Sequence, residues 1–200
     1  LGDVYKRQDL YIIGQFNGVA ATTAVSIGSQ VMHMLTVIIV GLAMGTTVTV
    51  GRDIGAKKTD EASLAIGNTV TLFMIVSVVF TLGLLLLLKP IVALISTPQE
   101  AVQGTIQYLF VCFIGIPFIT AYNIISSIFR GLGDSKSPMY FVAVACVANI
   151  GLDYLFIGVM SMGPVGAALG TTLAQTISVA ISLIAVSYTH LRAHETTLHL

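Results

Sequence analysis

The chain is a succession of long apolar stretches parted by short polar clusters, and most of the stretches hold twenty residues or more. Crossing the roughly 30 Å hydrocarbon core of a bilayer takes about 20 mostly apolar residues in a helix. Apolar stretches that long and that numerous have no water-facing side, so they predict an all-α membrane protein. Charge agrees. Only 9% of the 200 residues are Asp, Glu, Lys or Arg, against about 25% in a soluble domain. With a formal net charge of zero, nothing favours nucleic acid or an acidic partner surface. Cys112 and Cys146 fall inside apolar stretches, where a small buried thiol is the plain reading and a disulfide framework is not implied.

The breaks predict one partial and five complete spans. The partial span ends near Phe16, and the complete ones cover about 25–50, 62–88, 101–129, 139–160 and 165–186. Lys89-Pro90 is expected to stop the third span, with a short interfacial segment after it. Pro117, close after Gly115, breaks the fourth midway and predicts a kink. Arg52, Lys57 and Lys58 follow the second span, Arg130 and Lys136 follow the fourth, and the alternate loops hold only Lys89. Excess Lys and Arg mark cytoplasmic loops, so the first, third and fifth spans run outward.

Both ends break the pattern. Residues 1–8 (LGDVYKRQ) and 187–200 (SYTHLRAHETTLHL) are polar, lack the periodicity beside them, and resemble translated sequencing-adapter read-through. They are read as non-native, which leaves 9–186 as one helical lobe with a truncated first helix. The spacing of His190, His194 and His199 then says nothing about metal, and no metal site is expected.

An ionisable residue inside a span costs about 2.5 to 3.5 kcal/mol on insertion scales, so it points to a cavity or a partner. Asp9 and Asp153 qualify. Each lies seven residues before the outer end of its span, at Phe16 and Met160, and therefore roughly 10 Å below that end, where the two could share one site. The plainer alternatives are a helix contact for Asp153 and an interfacial position for Asp9. Asn149 falls on the face of Asp153, one turn deeper. Thr171 and Thr172 reach comparable depth in the sixth span, although threonine in such helices often only bonds back to its own backbone. His33 and Gln30, with Ser29, form a polar stripe in the second span, where a packed, hydrogen-bonded histidine is the simpler reading. Tyr122 and Asn123, one turn beyond Pro117, are further candidates to line a cavity. Gly131-Leu132-Gly133-Asp134 matches the GxGD pattern of intramembrane aspartyl proteases. Nineteen helical residues nevertheless put Asp134 roughly 28 Å from Asp153, too far to share a proton.

Five segments together resemble the multidrug and toxic compound extrusion (MATE) transporters: DLYIIG at 9–14, GRDIGAKKTDEAS at 51–63, FRGLGDSKSPM at 129–139, NIGLDYLFI at 149–157 and GPVGAALGTTLAQ at 163–175. The resemblance covers nearly all of 9–186. It implies the amino-terminal six-helix lobe of a twelve-span, two-lobe protein, with the carboxy-terminal lobe missing. It also implies a cation-binding or protonation site on Asp9, Asn149, Asp153 and Thr171, and no cofactor. The expected activity is antiport across a cell membrane, most naturally a prokaryotic inner membrane: H⁺ or Na⁺ enters while small organic, often cationic substrates leave. The expected partners are membrane lipid, those substrates and the second lobe. The family's first span often has a proline and further polar residues in its early part, which the foreign-looking segment replaces here. The alternatives are a lipid-linked oligosaccharide flippase of related architecture, whose cavity would carry basic residues, and an intramembrane enzyme, which would need a second catalytic group beside Asp153.

Overall fold

The computed structural model describes the backbone of residues 2–197 and the side chains of residues 8–185. Among the described residues there are helices and no strand. In order these are α1 (Gly2–Phe16), α2 (Val19–Gly55), α3 (Thr59–Leu94), α4 (Gln99–Ile114), α5 (Ile116–Gly131), α6 (Lys136–Asp153), a π-helical segment (Tyr154–Val159) and α7 (Gly163–Thr197). Helices α2, α3, α7 and α6 with its π-helical continuation are each long and apolar enough to cross a bilayer, and α4 with α5 makes a fifth span bent by 48°. The backbones of α1 and α7 run as helix into both terminal segments that the sequence marks as foreign. The side chains of those segments, His190 and His194 included, lie outside the described residues, as does His199.

The bend falls where Gly115 and Pro117 predict it. Proline 117 has no N–H to offer the carbonyl of the preceding turn, so α4 ends and α5 begins in a new direction. Helix α7 fills the bend: a Cβ on Gly115 would lie 2.7 Å from Thr172 Cγ2. Proline 90 behaves otherwise. The expected stop at Lys89-Pro90 is not there, and α3 continues through the proline to Leu94. The backbone bond that Pro90 cannot make belongs to the carbonyl of Leu86, whose side chain faces outward, while Leu88 and Val92 on the inner face keep the helix packed.

In lipid the hydrophobic effect does not draw helices together, so close approach and hydrogen bonds across small residues must do so. The described contacts have that character. A Cβ on Gly28 would lie 2.3 Å from the Tyr108 ring, and one on Gly131 would lie 2.9 Å from Val50 Cβ. Threonine 47 donates from Oγ1 to the Ser127 carbonyl (3.0 Å), and Ser178 donates from Oγ to the Phe141 carbonyl (3.0 Å). Helix α3 turns Ser77 and Thr81 inward and Leu72, Val79, Leu82 and Leu86 outward, as a lipid-facing helix should. The ends of α2 and α5 meet at Gly51 and Gly131, so the two turns rich in Lys and Arg lie on the same side of the lobe.

Candidate functional site

Helices α1, α6 and α7 converge on one buried cluster. Thr171 donates from Oγ1 to Asp9 Oδ2 at 3.3 Å and accepts from Asn149 Nδ2 at 3.5 Å. Asp153 lies one turn from Asn149 on the same face of α6 and sits against Gly170, the neighbour in α7 of the Thr171 that bonds Asp9. Relative exposure is 3% for Asp9, 1% for Asn149 and 0% for Asp153, so water does not compensate them. Both Asp153 oxygens, one oxygen of Asp9 and the Asn149 carbonyl have no hydrogen-bond partner.

Two ionised carboxylates cannot donate to one another, and like charges about 4 Å apart repel by about 4 kcal/mol at an effective dielectric of about 20. The orphaned oxygens therefore fit a proton or a small cation held between them. Among the described residues there is no group of three or more His, Cys, Asp or Glu side chains placed to hold a metal ion.

The local sequence explains the placement. A Cβ on Gly170 would lie 2.1 Å from Asp153 Oδ1, so only glycine at that point of α7 leaves room for the carboxyl. Immediately after Asp153 the helix widens into the π-helical segment, which carries Phe156 and Ile157 back against α7 and α1. Phe16 of α1 meets Tyr154 edge to face, with ring centroids 6.3 Å apart, which holds the end of α1 against the π-helical segment.

A cavity of about 330 Å³ opens beside this cluster. Asp9 and Thr171 form part of its wall, whereas Asn149 and Asp153 stand behind them. His33, Tyr122, Asn123 and Thr172 line it. Gln30 does not: it is exposed and turned away. Successive helical residues are about 100° apart, so the inward face of α2 runs through Ser29, His33, Thr36 and Val40 and leaves Gln30 to one side. Asn123 bonds back to the Ile119 carbonyl (2.7 Å) while facing the cavity.

Other wall residues escape a reading based on intramembrane charge. Tyr108 and Cys112 are one turn apart on α4, and Gln175 is one turn beyond Thr171 on α7. Their i, i+4 spacing is visible in the sequence, but nothing there says that these turns face inward. Arg130, which the sequence puts beside a turn, is exposed in the last turn of α5 and is also among the residues that line the cavity. Asp134 stays apart from the site, beyond the far end of α6 from Asp153. Its Oδ1 accepts from the Lys136 and Ser137 N–H groups and its Oδ2 from the Ser137 hydroxyl. These bonds hold its carboxyl below the usual carboxylate range.

Known proteins with this arrangement are membrane transporters. The MatE family model matches residues 4–155. "Probable multidrug resistance protein YpnP" of Bacillus subtilis is 34% identical over 83% of this chain and 37% of its own length. The "FAD transporter" of Shewanella oneidensis is 24% identical over 89% of this chain and 40% of its own. A solved structure described as the inward-facing conformation of a multidrug resistance MATE family transporter superposes with a TM-score of 0.85 at 26% identity, covering 92% of this chain and 41% of that one. Its outward-facing counterpart gives 0.84 at 27% identity over 90% and 40%. The chain thus spans about 40% of the length of the relatives it matches. Those relatives are transporters and not enzymes. The match over three quarters of the sequence, together with a six-helix arrangement that superposes on solved transporters, shows that this chain belongs to the MatE family.

Proposed function

We propose that this chain is the amino-terminal lobe of a cation-coupled antiporter that exports organic, often cationic compounds through a prokaryotic inner membrane in exchange for H⁺ or Na⁺. The feature that carries the reading is the carboxylate pair: Asp9 in the cavity wall, Asp153 fully buried outside it, and oxygens on both without a hydrogen-bond partner. A cation or proton arriving at the pair removes negative charge from the wall that a basic substrate would face. Ion and substrate then oppose each other at Asp9, and the ion's binding energy biases the lobe toward release. Asn149 and Thr171 keep the Asp9 carboxyl aimed at its partner. The turns at 56–58 and 132–135 face the cytoplasm in this reading, and a second lobe closes the open side of the cavity.

A flippase for pyrophosphate-linked lipids is less well supported, because Arg130 is the one Lys or Arg among the described cavity-lining residues and a pyrophosphate calls for several. The test is Asp153→Asn in the full-length parent, read as drug accumulation in cells with protein levels measured in parallel. Asparagine keeps the shape of a protonated aspartate but cannot release a proton or offer Na⁺ a full charge. Ion-coupled efflux should be abolished at near-normal expression, while Asp134→Asn should remain close to the parent. Full pumping by Asp153→Asn alongside a dead Asp134→Asn would move the site to the cytoplasmic turn and end this proposal.

A further inference from the structure

The cavity holds a histidine that the carboxylate pair does not use. His33 lines it from α2, is exposed, and makes no side-chain hydrogen bond or ion pair among the described residues, so it is not a bonded core histidine. Helices α1 and α2 pack together and are joined across Asn17 and Gly18. Asp9 lies seven residues, about 10 Å, from the end of α1 at Phe16, whereas His33 lies fourteen residues, about 21 Å, along α2 from Val19. His33 is therefore about 10 Å farther than Asp9 from the joined ends. That direction leads to the end of α2 that carries Arg52, Lys57 and Lys58.

Asp153 is fully enclosed and is not part of the wall, so a proton held by the pair reaches the cavity through Asp9. Besides Asp9 and His33, the titratable or charged groups in the described wall are Tyr108 and Cys112 from α4 and Tyr122 and Arg130 from α5. The described wall residues of α6 and α7 include none. Helix α3, which also packs on α2, adds nothing to the wall, and its Asp60, Glu61 and Lys89 are exposed toward its ends. As residue types, tyrosine releases its proton near pH 10 and cysteine near about 8.5, while arginine keeps its own. Histidine is the type in this wall that both takes and gives a proton near neutral pH.

We infer that the coupling ion is H⁺ and that His33 relays it from Asp9 toward the cytoplasm. The protonated Asp9 carboxyl passes its proton through cavity water to the free imidazole nitrogen, leaving a carboxylate and an imidazolium. The imidazolium then gives a proton to water or buffer on the cytoplasmic side and returns to imidazole. Arg130, of like charge in the same wall, opposes a lasting imidazolium and favours that second step. The relay rests on the antiporter reading and selects its ion, while Asp9 and Asp153 keep their role.

The experiment places the full-length parent, His33→Gln and His33→Ala in everted membrane vesicles, whose cytoplasmic face is outside, with ethidium as the probe. Uptake is driven by an H⁺ or an Na⁺ gradient, and exchange of labelled for unlabelled ethidium is followed with no gradient, since exchange needs no net proton movement. Positioned acid-base groups speed proton transfer by about 10² or more. Both variants should thus lose H⁺-driven uptake by about tenfold or more and keep exchange. In His33→Ala, raising external carnosine, an imidazole dipeptide, at constant pH should restore uptake several-fold, with little effect on the parent. Parental H⁺-driven uptake in either variant overturns the relay. So does an equal loss of exchange at parental protein levels, which would give His33 a role in the substrate path or in packing, and so does a loss that carnosine leaves unchanged. Where His33→Ala fails to reach the membrane, His33→Gln with the same buffer series decides. A parent driven by Na⁺ but not by H⁺ refutes the relay and leaves the antiporter reading standing. A parent driven by neither removes that reading as well.

Discussion

Gly170 and Asp153 depend on one another at the scale of single residues. In a helix interior, alanine is about 1 kcal/mol better than glycine, so Gly170→Ala on propensity alone should stabilise α7. The added Cβ would nevertheless fall 2.1 Å from Asp153 Oδ1, and a carboxyl that is fully enclosed has little room to turn aside. We expect Gly170→Ala to insert normally and lose ion-coupled efflux by about tenfold or more, since small misplacements of a site group have effects of that order. Efflux rate against applied ion gradient checks this, and parental coupling in Gly170→Ala would show that the close approach is unimportant. Asp134 does a different job. Its bonds to the Lys136 and Ser137 N–H groups satisfy the start of α6, and removing a carboxylate from such a place costs about 1 kcal/mol. Its depressed pKa means that this contribution is present above the ordinary value of 3.8 and is lost as the pH falls below it. Asp134→Ala should thus melt lower than the parent in detergent at pH 7, and the difference should shrink under acid below that value. A difference that persists unchanged in acid would assign the effect to packing and not to the carboxylate.

Single helices are shaped by where a backbone bond is missing and what occupies the gap. Pro90 and Pro117 both remove a donor, yet α3 runs on while α4 and α5 part by 48°. The difference lies in the neighbours: the turn before Pro90 carries the exposed Leu86, whereas beside Pro117 the side chain of Thr172 wedges against Gly115. Restoring the donor with Pro117→Ala should therefore relax the bend only in part, because the α7 wedge stays. Complete straightening would lengthen the span between spin labels at the exposed positions Gln103 and Leu132 by about 4 Å. We expect a distance change well below that for Pro117→Ala. The full change would show that the proline alone sets the bend. The π-helical segment after Asp153 is the third such feature. Its extra residue per turn re-aims everything beyond the carboxylate, and such widened turns recur at functional sites.

For the whole molecule, the lobe superposes almost equally on an inward-facing and an outward-facing transporter, with TM-scores of 0.85 and 0.84. A body that fits both states supports alternating access by movement between lobes more than by rearrangement within one. Residues 9–186 expressed alone should then insert in the membrane and fail to export drug, and supplying the second half of the parent in the same cells should restore export. Efflux from proteoliposomes holding 9–186 alone would contradict a path between lobes. Deleting 1–8 and 187–200 should leave insertion unaltered, and lost insertion would mark those segments as native.

The sequence alone determined what depends on local chemistry. Twenty-residue apolar stretches must be helices in lipid, Gly115 and Pro117 must bend one of them, and Asp9 and Asp153 must find company, since a buried charge is too costly to stand alone. The spacing of Asn149 and Asp153 also put them on one face without any structure. What tertiary structure decided was rotation and approach: that Gln30 turns out of the cavity, that Tyr108 and Gln175 turn in, that Gly170 receives a carboxyl, and that Arg130 joins the cavity wall. Helical periodicity fixes which residues share a face, but in a chain apolar on nearly every side it does not say which face meets another helix. That choice rests on small residues and side-chain hydrogen bonds between segments far apart in sequence, as between Thr47 and Ser127 or Thr171 and Asp9, and so only the assembled lobe can make it.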